Sequence, residues 1–357
     1  MPNASLGAMP AVDRTWETIE TYNAGIDFAT LNNRLNGTFD YFIKDNKNMF
    51  YAEEFPTILG TSAPSINGAH VRTNGWELTL NWKDKIGKVG YRIGFNLSDN
   101  KTKVISLSDS RNPGHGLMGF VEGYPTNSFF IYEFDGFIKD EADLADYKAK
   151  MKGGVPTNLR VGDAKYIDKD GDGVLEPTLY KEGDPNSGDI VYKGTNNQRY
   201  LYGINLGLDW KGIDVSAFLQ GVGKWDCING TYAGGGEVWK QSSQYFYHNT
   251  WSPDRTNAEY PRLTQDGGIH GYNYQWSDAP YKFFNNRYLR LKEVQIGYTF
   301  PTTLTKKIGV EKLRVYATGM NLLEWDNLPD GFDPEAPYTE NLIPFSRTYS
   351  IGVNVQF

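Results

Sequence analysis

The sequence predicts an all-β chain: an antiparallel transmembrane β-barrel segment of about nine strands. Three observations carry this. Apolar and polar residues alternate with period two in nine separate segments, the pattern of strands with one apolar and one polar face. Short turns alternate with long polar links, as the periplasmic turns and outer loops of a membrane barrel do. Several apolar faces carry aromatics near their ends, where interfacial girdles belong: Trp76 with Trp82, Tyr200 with Trp210, Tyr298 with Phe300. The soluble alternative is a β-sandwich or propeller with the same apolar face turned inward.

In chain order, the first segment, "WETIETYNAGIDF", puts Tyr22, Ala24, Ile26 and Phe28 on one face. "RLNGTFDYFI" puts Leu35, Phe39, Tyr41 and Ile43 opposite Asn36, Thr38 and Asp40. "GWELTLNW" sets Trp76, Leu78, Leu80 and Trp82 against Glu77, Thr79 and Asn81. "VGYRIGFNLS" sets Val89, Tyr91, Ile93, Phe95 and Leu97 against Arg92, Gly94, Asn96 and Ser98. "YLYGINLGLDW" follows, with Tyr200 to Trp210 on the apolar side and Asn205, Gly207 and Asp209 on the other. Then come "IDVSAFLQG", "EVQIGYTF" and "KLRVYATGMN". The ninth run, "TYSIGVNVQF", alternates to the last residue through Tyr349, Ile351, Val353, Val355 and Phe357. The short connections are "ATLNNR", "KDKIGK" and "KGID", with "PTTLTKKIGVEK" intermediate; the long links span about 45–69, 104–197, 224–285 and 322–345.

Composition narrows the function classes. No run approaches the roughly 18 apolar residues of a transmembrane helix, and a mean hydropathy of -0.54 does not exclude a barrel, whose polar half dilutes its apolar half. A net charge of -7 argues against nucleic acid. The single Cys227 excludes an intrachain disulfide framework and a cysteine metal cluster. The first residues carry no basic region or apolar core of a leader peptide. If short turns are periplasmic and the last strand runs inward, counting back makes the first strand run inward too. A complete barrel of this class has an even strand number and both ends periplasmic. Nine strands entered from outside are therefore expected to be part of a larger barrel.

The segments "TYNAGIDFATLNNRLNGTFDYFIKDNKNM", "GWELTLNWKDKIGKVGYRIGFNLSDNKTKV", "EGYPTNSFFIYEFDGF", "GDAKYIDKDGDG", "NTWSPDRTNAEYPRL", "NNRYLRLKEVQIGYTFP" and "TGMNLLEWDNLPDGFDPE" resemble, in order, the C-terminal barrel of SusC/RagA-type TonB-dependent outer-membrane transporters. The resemblance implies the last nine strands of a 22-stranded plugged barrel in the outer membrane of a Gram-negative bacterium. It further implies a SusD-like surface lipoprotein, the TonB complex and the barrel-assembly machinery as partners, and oligosaccharide or peptide as cargo. On that basis residues 1–14 are expected to be the remnant of an outer loop. Residues 15–357 are then the C-terminal part of the barrel, with plug and TonB box absent. The aromatic-ended run Tyr349, Ile351, Val353, Val355, Phe357 is similar to the assembly signal of such barrels; an ordinary edge strand is the plainer reading. A stand-alone β-rich glycan-binding protein of the cell surface, or a truncated product without function, are the alternatives.

Catalytic constellations are wanting. His70, His115, His248 and His270 show no metal-ligand spacing, and neither a nucleophile elbow nor a P-loop occurs, so an enzyme is not expected. One local motif stands out, "DKDGDGVLE". Asp168, Asp170 and Asp172 fall at positions 1, 3 and 5 of a calcium loop, with Gly173 at the sharp turn and Glu176 at position 9. Position 12, where a bidentate Glu belongs, is Leu179, so an Asp/Gly-rich surface turn is the alternative to Ca2+. The 224–285 link is rich in rings. Trp225, Trp239, Tyr247, Trp251 and Trp276 are candidates to contact cargo or the lipoprotein, against the plainer reading that the rings pack a small core of the loop itself.

Overall fold

The structure, a computed structural model, describes residues 14–52, 58, 64–108, 113–228, 248–328, 333–335 and 345–357. Its frame is one nine-stranded antiparallel sheet. In spatial order the strands are β1 (Thr18–Thr30), β2 (Leu35–Ala52), β3 (Ser65–Ile86), β4 (Val89–Leu107), β10 (Arg199–Trp210), β11 (Ile213–Lys224), β14 (Tyr288–Thr299), β15 (Lys312–Asp326) and β16 (Thr348–Gln356). Each pairs with the next of these in the chain, and the sheet is open, with β1 and β16 as its edges.

The register shows why the alternation predicts the sheet so well. Leu80 faces Phe95, Phe95 faces Ile204, Ile204 faces Leu219, Leu219 faces Leu291, and Leu291 faces Leu323. One apolar row thus runs unbroken across the six strands from β3 to β15. A row on the other side runs Arg92, Gly207, Ser216, Gln295, Thr318, Ser350. A one-residue slip of any strand would put its apolar set on the polar side, so the shared pattern fixes the pairing. Ile26, Phe39, Leu206, Ile296, Ile351 and Val353 are exposed on the apolar side, an area far beyond the patches soluble monomers tolerate.

The short turns have residues suited to them. Ile86 pairs with Val89 across Gly87 and Lys88; Gly87 has φ +62, as the first position of a type II′ turn needs. Trp210 pairs with Ile213 across Lys211 and Gly212, both left-handed, as in a type I′ turn. The intermediate turn holds a one-turn helix (Thr302–Thr305) and a 3-10 turn (Lys306–Ile308) ended by left-handed Gly309.

Three expectations need correction. The link 45–69 is mostly strand: β2 and β3 stay paired as far as Ala52 and Ser65, past bulges at Met49. Irregular positions and polar residues on both sides hide the period there. Pairing likewise carries β15 to Asp326, past the expected start of the last link at 322. Tyr200 leaves the apolar row. Its φ of +55 places it outside the ladder, between the pairs Arg199–Lys224 and Leu201–Val222.

Candidate functional site

The two longest links are folded. The connection from β4 to β10 builds a three-stranded sheet, β5 (Gly116–Met118), β6 (Ser128–Tyr132) and β9 (Ile190–Thr195). It also builds an antiparallel pair, β7 (Phe134–Phe137) and β8 (Ala164–Tyr166), with helix α1 (Glu141–Lys150) between them in the chain. Asp140 caps α1 by accepting from the Asp143 N–H at 2.8 Å; Glu141 and Asp143 stand in its first turn and Lys148 and Lys150 in its last. Its buried Leu144 and Tyr147 lie one turn apart and face the core. The connection from β11 to β14 adds β12 (Asp226–Ile228), helix α2 (Gly267–Asn273) and β13 (Phe283–Asn285).

These connections share one core. Phe130, Tyr132, Ile138, Leu144, Tyr147, Tyr166 and Ile190 of the first pack with Ile269 and Tyr272 of the second. Tyr147 and Tyr272 join hydroxyls at 2.9 Å, and the Tyr166 hydroxyl donates to the Tyr272 carbonyl at 2.9 Å. Fully buried Asp163 accepts from Asn273 Nδ2 at 2.9 Å and pairs with Arg262 at 2.9 and 3.0 Å. A buried carboxylate is held only by such partners, so Asp163 rivets one connection to the other. The result is a single cap over the ends of the sheet opposite the short turns.

The polar face of the sheet is the second part of the site. Arg92 lies across Gly207, where a Cβ would come within 2.8 Å of its guanidinium, and reaches Asp209 at 3.0 Å. Arg314 lies across Gly297 in the same way and bonds Asp214 at 3.0 Å and Gln295 at 2.7 Å. Asn36, Asn81, Lys83, Arg92, Asn205 and Glu293 line a trough of about 520 Å³ on this face.

The cap's acidic turn has the local geometry of a hard-cation loop. Asp168 accepts from the Gly171 and Gly173 N–H groups, both at 2.8 Å, and Asp172 accepts from Val174 at 2.6 Å. Carboxylate oxygens of Asp168, Asp170 and Asp189 gather within 4.8 Å, and so do those of Asp170, Asp172 and Glu176. The sequence motif misses Asp189. It lies beyond the nine-residue pattern, fully buried, and accepts from Lys169 and Glu176 N–H groups at 2.5 and 2.8 Å. Burial pushes its carboxyl up to about 6, against the pull of those two N–H groups, and Asp170 and Asp168 push it the same way.

The candidate rings are divided. Trp225 is half-buried and donates through Nε1 to Asn196 at 2.9 Å. Trp251 covers left-handed Gly162, where a Cβ would lie 2.3 Å from the ring. Trp276 lies over Gly116 with the Lys282 ammonium 5.9 Å from its centre. Trp239 and Tyr247 lie outside the described residues. Of the other rings in that link, Tyr260 and Tyr272 are buried in the cap's cores. Burial pushes the Cys227 thiol up to about 12, which leaves it unreactive. Tyr349, Ile351, Val353 and Val355 project from β16 on the apolar side, and Phe357 follows just beyond its last pair.

An antiparallel sheet with one apolar face, one polar face, short turns at one end and a folded cap at the other is the wall of an outer-membrane β-barrel. No family model matches the chain. Among curated proteins it is 27% identical over 369 residues to TonB-dependent receptor P3 of Formosa agariphila, covering 96% of this chain and 34% of that one. It is 24% identical over 369 residues to TonB-dependent receptor SusC of Bacteroides thetaiotaomicron, covering 96% and 32%. The chain thus spans about a third of the length of the curated relatives it matches. Among solved structures it is similar to the RagAB peptide transporter, with 22% identity, a TM-score of 0.71 and coverage of 99% of this chain and 36% of that one. The resemblance to SusC/RagA-type TonB-dependent receptors therefore holds along nearly the whole chain, in sequence and in fold.

Proposed function

We propose that this chain, from residue 15 on, is the C-terminal part of the barrel of a TonB-dependent nutrient importer. The importer moves an oligosaccharide or a peptide across the outer membrane, working with a SusD-like lipoprotein. The observation that carries this reading is the unbroken apolar face over all nine strands, backed by a polar face of asparagines, arginines and carboxylates. Such a wall separates lipid from an aqueous lumen. The cap, folded across its outer ends, is in position to serve as part of the docking rim and of the cargo-contacting wall. Energy would come from TonB through a plug outside this chain, and no covalent step is involved. The relatives named above are receptors and transporters, which supports that reading. Within the cap, Asp168, Asp170, Asp172 and Glu176, joined by Asp189, form a calcium-class site.

The test uses cells expressing the complete transporter. Uptake of labelled oligosaccharide or peptide should depend on this protein and stop when TonB is disrupted, and the lipoprotein should co-purify with it. Uptake that continues without TonB rejects the proposal.

A further inference from the structure

The short described stretch 333–335 does not project away from the sheet. It lies against the polar face at the outer ends of β14 and β15. Arg290, wholly buried, reaches Asp333 at 2.6 Å and Glu324 at 2.9 Å through Nη2, and Glu335 at 3.4 Å through Nη1. Register puts Arg290 opposite Gln220 on one side and Glu324 on the other, hence on the polar face. A bulge between Leu291 and Glu293 lets Lys292 point to the same side as both Arg290 and Glu293, and Lys292 bonds Glu335 at 2.5 Å. Asn286, also wholly buried, donates to the Pro334 carbonyl at 2.8 Å. Asp333 in turn accepts from the N–H groups of Glu335 and Phe345, both at 2.9 Å. The Phe345 ring covers the cations, 5.5 Å from the Arg290 guanidinium and 5.1 Å from the Lys292 ammonium.

We propose that Asp333, Pro334, Glu335 and Phe345 form a fixed ledge on the inner wall of the barrel mouth, anchored by Arg290. Cargo passes over this ledge without displacing it. The ledge rests on the transporter reading for its role, while its anchoring stands on the contacts alone. Releasing it would part Arg290 and Lys292 from Asp333 and Glu335 and break the Asn286–Pro334 bond together, a set of contacts a gate would have to remake at every cycle. A gate is drawn from weakly held segments; this one is held by ion pairs, a buried amide and a ring.

The experiment uses the complete transporter with its free cysteines replaced and Asn286→Cys and Pro334→Cys introduced. Oxidative crosslinking in whole cells should give yields within two-fold of each other in idle and importing cells. Arg290→Met added to this pair should lower the yield at least ten-fold. In the parent background, Arg290→Met should speed protease cleavage between residues 329 and 345 about ten-fold while the barrel stays heat-modifiable. No crosslink in idle cells, a yield that collapses during import, or an unchanged cleavage pattern would each overturn the ledge. Uptake by the parent is scored separately. A parent that imports nothing sinks the transport reading, while crosslink and cleavage still report on the anchor.

Discussion

Leu206 and Asn205 are neighbours in sequence and face opposite worlds. Leu206 sits in a row with Ile93 and Ala217, Asn205 in one with Gly94 and Phe218. Leu206→Arg should cost about 2–4 kcal/mol near the bilayer midplane, and Asn205→Arg much less. Urea unfolding of the complete barrel in lipid measures both; equal tolerance would reject the assigned faces. Asp189 supports a second prediction. Its carboxyl is raised to about 6 in the folded cap, above its unfolded value, so its contribution is fully present at low pH and lost as pH rises through about 6. In chelator, hydrogen exchange corrected for intrinsic rate should show the 166–190 segment harder to open at pH 5 than at pH 7.5. The difference should be on the order of 1.5 kcal/mol. Calcium should recover the loss at pH 7.5, because a cation favours the ionised carboxylates. Asp168→Ala with Asp170→Ala should abolish that recovery and the calcium-dependent protection of 163–180 from protease. If calcium protects nothing in the parent, the cation site is wrong.

At the scale of elements, the sequence was legible wherever one physical rule acted alone. Period two marks all nine strands because lipid and water lie on opposite sides of every one of them, and Gly87 and the Lys211–Gly212 pair mark their turns. It was illegible where rules overlapped. The outer halves of β2 and β3 carry bulges and polar residues on both faces, and so resembled loop. The cap escaped because its core joins residues more than a hundred positions apart, such as Tyr147 with Tyr272 and Asp163 with Asn273. The "DKDGDGVLE" run names four acids of the cation loop but cannot name Asp189, which the fold brings to it. That shared core predicts cooperativity between the two connections. Tyr272→Ala removes a buried ring and the Tyr147 hydroxyl's partner, a change worth about 3–5 kcal/mol. Exchange protection should fall in α1, although the substitution lies in the other connection, while the barrel remains heat-modifiable. Exchange confined to residues 248–287 would show two independent loops instead of one cap.

For the whole molecule the decisive feature is the pair of open edges. β1 offers 13 residues and β16 nine residues with one side unpaired. In hydrocarbon each unpaired backbone group costs several kcal/mol, and closure of the sheet is the usual solution. Water offers no refuge either. Tyr22, Ile26, Tyr349, Ile351 and Val353 stand exposed on those same two strands, so the edges are also sites of aggregation. The sheet therefore requires further strands to bridge β1 and β16, and the curated relatives it matches are about three times as long as this chain. Exported with a leader peptide, this 357-residue chain alone should fail to give a heat-modifiable monomer in outer membranes. Co-expression with a fragment supplying strands that bridge β1 and β16 should restore it. Substituting Leu78, on the lipid side, with Arg should lower the amount of restored barrel, whereas changes on the cap should leave that amount unaltered and act on uptake. A stable, heat-modifiable monomer formed by this chain without any partner would show that the two edges find each other, and would refute the requirement for additional strands.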